Sequence, residues 1–304
     1  MKKHGTTAVR AAVMSVLMLA AAVSFSGCSG KEDVVKTIGS AEVSAEPPTE
    51  PATPEIYDYV PSGNGVEPKA EMLMRKNKDV AGWLKIFNTQ VDYPVFKDPG
   101  EIWDDDPYYG GVYYDPNAYY LDHDIDGEYF RAGSLFMDYR DDFGGVESEQ
   151  SENIVIYGHN MANNTMFGSI RRYRQDYGFF EQAPFIELSS NYRDYDYVIC
   201  GCIITGGSWF SDFQYWNMEE LDTKEDFDYY IDSMRAKQLF DTGVDVKYGD
   251  KLLTLSTCYA DEDNSRFLVI ARRLRDGEIM GDLSTVQRTE EYIKSHQQTD
   301  ETSS

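Results

Sequence analysis

The chain has 304 residues, 41% of them hydrophobic and 14% aromatic, enough to bury a core of one or two domains. Its 53 acidic residues outnumber 28 basic ones, for a formal net charge of −25. That balance argues against nucleic acid as a partner and against docking on anionic lipid through a basic patch, since both need a cationic face.

Lys2, Lys3 and Arg10 precede an Ala-, Val-, Leu- and Met-rich run from Ala11 to Phe25, followed by Ser26, Gly27 and Cys28. A basic start, a short apolar run and small residues ahead of a break have the form of an export signal over residues 1–27. The apolar run is 15 residues long, short of the ~20 that span a bilayer as a helix. The segment FSGC resembles a bacterial lipobox, in which the cysteine is lipidated and becomes the first mature residue, although Phe25 stands where an aliphatic residue is usual. Lipidation at Cys28 is the expectation, with an uncleaved signal anchor as the other reading. Either one holds the body of the protein at the extracytoplasmic face of the membrane. Residues 28–68 are rich in Glu, Pro, Ser and Thr and read as an acidic, self-repelling spacer.

An ordered domain is expected over 69–281, and a polar, frayed tail over 282–304. In AEMLMRKNKDVAGWLKI, residues Met72, Leu73, Lys76, Val80 and Trp83 fall in a roughly helical pattern. Short apolar runs then alternate with turn signals, as in a β-rich domain. The expected strands are 82–86, 91–96, 133–137, 153–157, 185–188, 196–205, 251–257 and 267–273. One helix interrupts them. Phe227, Tyr230, Ile231 and Met234 make one apolar face, and Thr223 with Asp226 supplies an N-terminal cap.

DHDIDG at 122–127 mimics the start of a calcium loop, but its twelfth position is Gly133 where the bidentate Glu belongs. A solvated acidic loop is the simpler reading. There are four cysteines: Cys28, Cys200, Cys202 and Cys258. Cys200 and Cys202 lie in the strand-like run YVICGCII and read as two small buried residues. A metal or redox pair there has no second Cys/His pair nearby. Cys258 is left as an unpaired thiol at the end of a strand.

A cysteine nucleophile works as thiolate and needs a base or a positive field. The chain offers four histidines: His4 in the signal, His296 in the tail, His123 in the acidic loop, and His159. His159 ends the apolar run NIVIYGHN, where a strand gives way to a loop, and is the natural partner for Cys258. Arg266 opens the run after TLSTCYADEDNS. A hairpin would set it beside Cys258, where its fixed fork of donors could steady an oxyanion. A surface ion pair with Asp261 or Asp263 is the plain alternative. Papain-like enzymes place the cysteine first, at a helix start; here the histidine comes first and the thiol ends a strand.

NKDVAGWLKI (77–86), VDYPVF (91–96), GSLFMDYR (133–140), NIVIYGHNMANNTMFGSI (153–170), SMRAKQLF (233–240) and LLTLSTCYADEDNSRFLVIARRL (252–274) together resemble the class B sortases. The resemblance spans about Lys69 to Leu274. It implies a mainly β (α+β) fold: a closed eight-stranded barrel, one or more N-terminal helices, and a long helix inserted between late strands. It implies a cysteine transpeptidase with His159, Cys258 and Arg266 as its catalytic residues. Ser256 and Tyr259, flanking the nucleophile, are expected to touch substrate. The partners implied are exported proteins carrying a C-terminal sorting signal, with an amine of peptidoglycan or of a pilin as acceptor. No metal or organic cofactor is expected, because one amide is exchanged for another. A non-catalytic binding lipoprotein on the same scaffold is the reading from a different class. The stretch 100–118 departs from the family pattern as an insertion.

Overall fold

The computed structural model describes residues 68–98, 117–143, 150–175, 177–208, 210–217, 221–259 and 264–295. The expected signal, the lipidation site Cys28, the spacer up to residue 67 and most of the 100–118 insertion lie outside them. No helix among the described residues is long and apolar enough to cross a membrane.

The strands are β1 (Val80–Ile86), β2 (Asp92–Lys97), β3 (Leu135–Met137), β4 (Asn153–Tyr157), β5 (Phe185–Ser190), β6 (Asp194–Gly206), β7 (Leu252–Cys258) and β8 (Ser265–Arg273). They close into a barrel in the order β1-β2-β3-β4-β7-β8-β6-β5. All eight fall where the apolar runs predict. The pairs β2–β3 and β4–β7 are parallel, and the others antiparallel. β1 alternates buried and half-buried residues, the mark of a strand with one face on the core. β4 and β7 read as nearly continuous apolar or small runs, because both of their faces are covered. Leu84, Val95, Leu135, Ile154, Ile156, Leu188, Leu255 and Ile270 are among the side chains packed in the core.

Helix α1 (Pro68–Lys76) is shorter than its periodicity predicts. Asn77 ends it. The Asn77 amide donates to the Tyr120 hydroxyl (3.1 Å) and the Ile125 carbonyl (3.1 Å), while its Oδ1 accepts from Asp79 N (2.9 Å). That side chain competes with the helix for backbone partners, so Val80 and Trp83 pass to β1. Two short helices, α2 (Arg172–Gln175) and α3 (Tyr177–Gln182), precede β5. Helix α4 (Lys224–Lys237) lies between β6 and β7 in sequence, as expected, with the Thr223 hydroxyl accepting from Asp226 N at 3.1 Å. Its Phe227, Tyr230, Ile231 and Met234 are all buried. Met234 fits against Gly201 so closely that a Cβ there would lie 2.5 Å from its sulfur, which accounts for the glycine between the two cysteines.

The tail expected to fray after Gly281 is docked as far as residue 295. Val286 is buried, Asp245 N donates to the Gln287 carbonyl (2.9 Å), and Arg288 donates to the Thr242 carbonyl (2.7 Å). Its polar composition hides these backbone anchors. The turn before it is held by Arg272, which is fully buried and grips Glu278 with two bonds of 2.6 and 2.7 Å. Burial alone would raise the Glu278 carboxyl, but Arg272 outweighs it and holds the group down at about 2. A carboxyl lowered on folding contributes stability above its ordinary value of 4.5, and loses it as pH falls through about 2. Glu278→Gln leaves a buried guanidinium unpaired and is expected to cost about 3–5 kcal/mol by urea denaturation at neutral pH. The gap to the unmodified chain should narrow as the pH is lowered toward 2; a gap independent of pH would show that the ion pair is not its source.

Candidate active site

Cys258 is the last residue of β7 and is exposed, whereas the six residues before it are buried. The reason lies in what covers the strand. Thr254 bonds the Tyr230 hydroxyl of α4 (2.6 Å) and donates to Asn153 Oδ1 (2.9 Å). Ser256 bonds the Tyr215 hydroxyl (2.6 Å). Burial pushes the Tyr215 phenol up to about 12, so it stays protonated under that strand. The cover ends there, and alternation brings the next side chain on this face, Cys258, into the open.

Arg266 is the direct antiparallel partner of Cys258, so thiol and guanidinium stand on neighbouring strands. Thr205 of β6 flanks Arg266 on its other side. The arginine side chain lies across Gly207, where a Cβ would come within 2.9 Å of its Cζ. Its Nη1 donates to the Ser265 carbonyl (3.2 Å), and no carboxylate among the described residues binds it. Asp261 and Asp263 lie outside those residues. The hairpin is closed by Tyr259 N donating to the Ser265 carbonyl (2.9 Å).

His159 follows β4, which runs parallel to β7 with Tyr157 level with Ser256. Two residues further on each strand bring His159 level with Cys258. Three bonds hold that extension: Gly158 N to Ser256 O (3.2 Å), Thr257 Oγ1 to Gly158 O (2.7 Å) and Asn160 Nδ2 to Cys258 O (2.9 Å). The imidazole Nε2 lies 2.7 Å from the carbonyl of Leu121, in a 3-10 turn at Tyr119–Leu121.

A buried carboxylate braces the loops around this centre. Asp138, 1% exposed, accepts from Arg140 Nε (2.8 Å) and Nη2 (2.9 Å), from the Tyr157 hydroxyl (2.8 Å) and from Asn117 (3.0 Å). Burial works against its charge, but the bonds from Arg140 and Tyr157 outweigh it and hold the carboxyl below its ordinary value. Arg140 reaches on to the Trp216 carbonyl and to Asn217 Oδ1 (3.3 Å). One carboxylate thus ties the end of the 100–118 insertion and the Tyr-Gly-His strand, and through Arg140 the turn after β6.

Three of the residues singled out from sequence, His159, Cys258 and Arg266, converge at one end of the barrel. Ser256 is 2% exposed with its hydroxyl engaged by Tyr215, so it sits beneath the site and offers no surface to a substrate. Tyr259 is half-buried, with the Arg174 guanidinium 4.8 Å from its ring centre. Cys200 and Cys202 are buried, and burial pushes both thiols up, Cys200 to about 12. In the acidic loop, Asp124 Oδ1 accepts from Asp126 N (2.9 Å) and Glu128 N (3.1 Å), the bonds of a self-capped turn. Leu121, Asn160 and the Asp138–Arg140 pair escaped sequence reasoning. The one available signal was a charged residue directly after the apolar run LFM.

The Sortase domain family model matches residues 84–274. Sortase B of Listeria monocytogenes is 32% identical over 191 residues, covering 63% of this chain and 67% of the relative. Among solved structures, Clostridium perfringens sortase B superposes with a TM-score of 0.55 at 26% identity, covering 67% of this chain and 99% of that one. A Staphylococcus aureus sortase B–substrate complex gives 0.56 at 27% identity, covering 69% and 87%. The chain belongs to the sortase family, and within it to class B. Sortases are cysteine transpeptidases that act at the cell surface, and the barrel with a thiol at its rim is the fold on which they do so.

Asp138→Ala strips Arg140, Tyr157 and Asn117 of their common acceptor. It is expected to cost about 3 kcal/mol in urea denaturation, with faster amide exchange at 117–121 and 215–217. Unchanged exchange in both segments would mean that the carboxylate does not hold them.

Proposed function

We propose that the protein cleaves a C-terminal sorting signal of exported proteins after a Thr residue and joins the acyl group to an amine of peptidoglycan. Cys258 is the nucleophile. Its sulfur attacks the Thr carbonyl, and Arg266 donates to the oxyanion that develops beside it. His159 gives a proton to the leaving amine and later takes one from the incoming amine. The intermediate is a thioester on Cys258, so one hard amide exchange becomes two easier steps.

The observation that carries this reading is the direct pairing of Cys258 with Arg266, beside the parallel strand β4, which His159 follows by two residues. Tyr259, next to the nucleophile and half-buried under Arg174, is the residue assigned to substrate contact. Ser256 acts from below, by holding Tyr215 against β7. The relative solved as a sortase B–substrate complex supports substrate binding on this fold for this chain as well. Lipidation at Cys28 is the proposed attachment to the outer face of the membrane.

Cys258→Ala is expected to abolish transpeptidation of a signal-peptide library while leaving the thermal midpoint within a few degrees. Arg266→Ala is expected to lower kcat about 10²–10³-fold, the usual loss for one oxyanion donor. Cleavage that persists without the thiol would sink the assignment.

A further inference from the structure

The His159 ring is held on one side only. A carbonyl oxygen is an acceptor and nothing else, so a 2.7 Å contact with the Leu121 carbonyl requires a hydrogen on Nε2. Nothing among the described residues bonds Nδ1. In the neutral ring the lone pair therefore sits on Nδ1.

We infer that the Leu121 carbonyl fixes His159 as the Nε2–H tautomer and makes Nδ1 the nitrogen that exchanges protons in the reaction, with Gly133 as the positioning residue that keeps this carbonyl in place. Gly133 has φ +55, and a Cβ there would lie 2.3 Å from the Leu121 oxygen and 2.5 Å from the Tyr120 oxygen. Two successive carbonyls converge on the bare face of this glycine. The turn carrying them is closed by Ser134 N donating to the Tyr120 carbonyl (2.9 Å), Gly133 N to the Phe130 carbonyl (2.7 Å) and Phe130 N to the Asp122 carbonyl (2.8 Å). The opposite end of the histidine is fixed through its backbone, where Phe167 N donates to its carbonyl (3.0 Å). Ring and backbone are thus held from two different loops.

The inference rests on the transpeptidase reading above and assigns its proton path. In acylation the Cys258 sulfur bonds the Thr carbonyl carbon, the carbon–nitrogen bond breaks, and the Nδ1 proton of the imidazolium moves to the departing nitrogen. In transfer the incoming amine bonds that carbon, the carbon–sulfur bond breaks with its electron pair on sulfur, and the amine proton moves to Nδ1. The Nε2 proton stays on Nε2, donated to the Leu121 carbonyl throughout.

His123 supplies an internal reference. Its Nδ1 lies 2.8 Å from the Tyr119 carbonyl and 2.8 Å from an Asp122 carboxylate oxygen, both acceptors, so it is held as Nδ1–H. The two histidines should therefore carry opposite tautomers. The test uses the full chain labelled with 15N-histidine, with His4→Gln and His296→Gln to simplify the spectrum. Two-bond proton–nitrogen correlations, recorded where the rings are neutral, should show Nε2–H at His159 and Nδ1–H at His123. Nδ1–H at His159 would overturn the inference and leave the transpeptidase reading standing. Gly133→Ala should mix the tautomers at His159 and lower kcat about 10–100-fold with KM within twofold, as for a misplaced catalytic group. A normal kcat, or a loss of kcat with the tautomer unchanged, would remove Gly133 from this role. Should that variant fail to fold, the tautomer in the unmodified chain decides.

Discussion

The parallel ladder between β4 and β7 is the constraint on which the site depends. Five registered pairs, from Asn153 with Leu252 to Tyr157 with Ser256, run the two strands out together. The chain between them includes β5, β6 and α4, so the ladder brings His159 and Cys258 level across nearly a hundred residues of sequence. A side-chain period of two makes the pairing unforgiving. A slip of one residue would turn Cys258 into the core and expose Thr257, whose hydroxyl now bonds the Gly158 carbonyl. Burial on both faces of β7 keeps the register where it is.

The ends of β4 and β7 are braced by neighbours that are polar. Asp138 gathers donors from three parts of the chain, and Arg140 extends the cluster to the turn after β6. Such a cluster is costly when half-satisfied and specific when complete. It sits on the side of β4 that leads to His159, while Tyr230 and Tyr215 cover β7 below Cys258. The two arrangements share one logic: each hydroxyl or carboxylate that leaves water is met by a partner from a different element. The far end of the barrel follows the same rule with Arg272, Glu278 and the network of Arg275 with Asp245 and Asp250.

Electrostatics make the local picture unlike the global one. The chain carries a net charge of −25, yet the group paired with the exposed thiol is a guanidinium. In the proposed reaction, a cation held on the strand beside the thiol would need no rearrangement as negative charge develops on a substrate oxygen. Class membership supplies the chemistry, and Cys258 and Arg266 stand side by side on β7 and β8.

The eight strands and helix α4 were legible in the sequence, because apolar runs between turn residues and an i, i+3, i+4, i+7 face are local signals of burial. The roles of Cys258, His159 and Arg266 remain the proposal made above; that Cys258 and Arg266 would stand side by side was legible too, from two apolar runs joined by a short polar loop. The end of α1 was not, because Asn77 stops the helix through partners at Tyr120 and Ile125, more than forty residues away. Neither was the docking of residues 282–295, which is made largely by backbone groups and by Arg288. Nor could any pattern reveal the Leu121 carbonyl, for every residue has one, and only the closed barrel decides which of them faces a histidine. Residue types and their spacing specify which elements form and which side chains are chemically able. Which atoms meet follows from closure of the barrel, because hydrogen bonds to backbone and register between distant strands leave no trace in residue type.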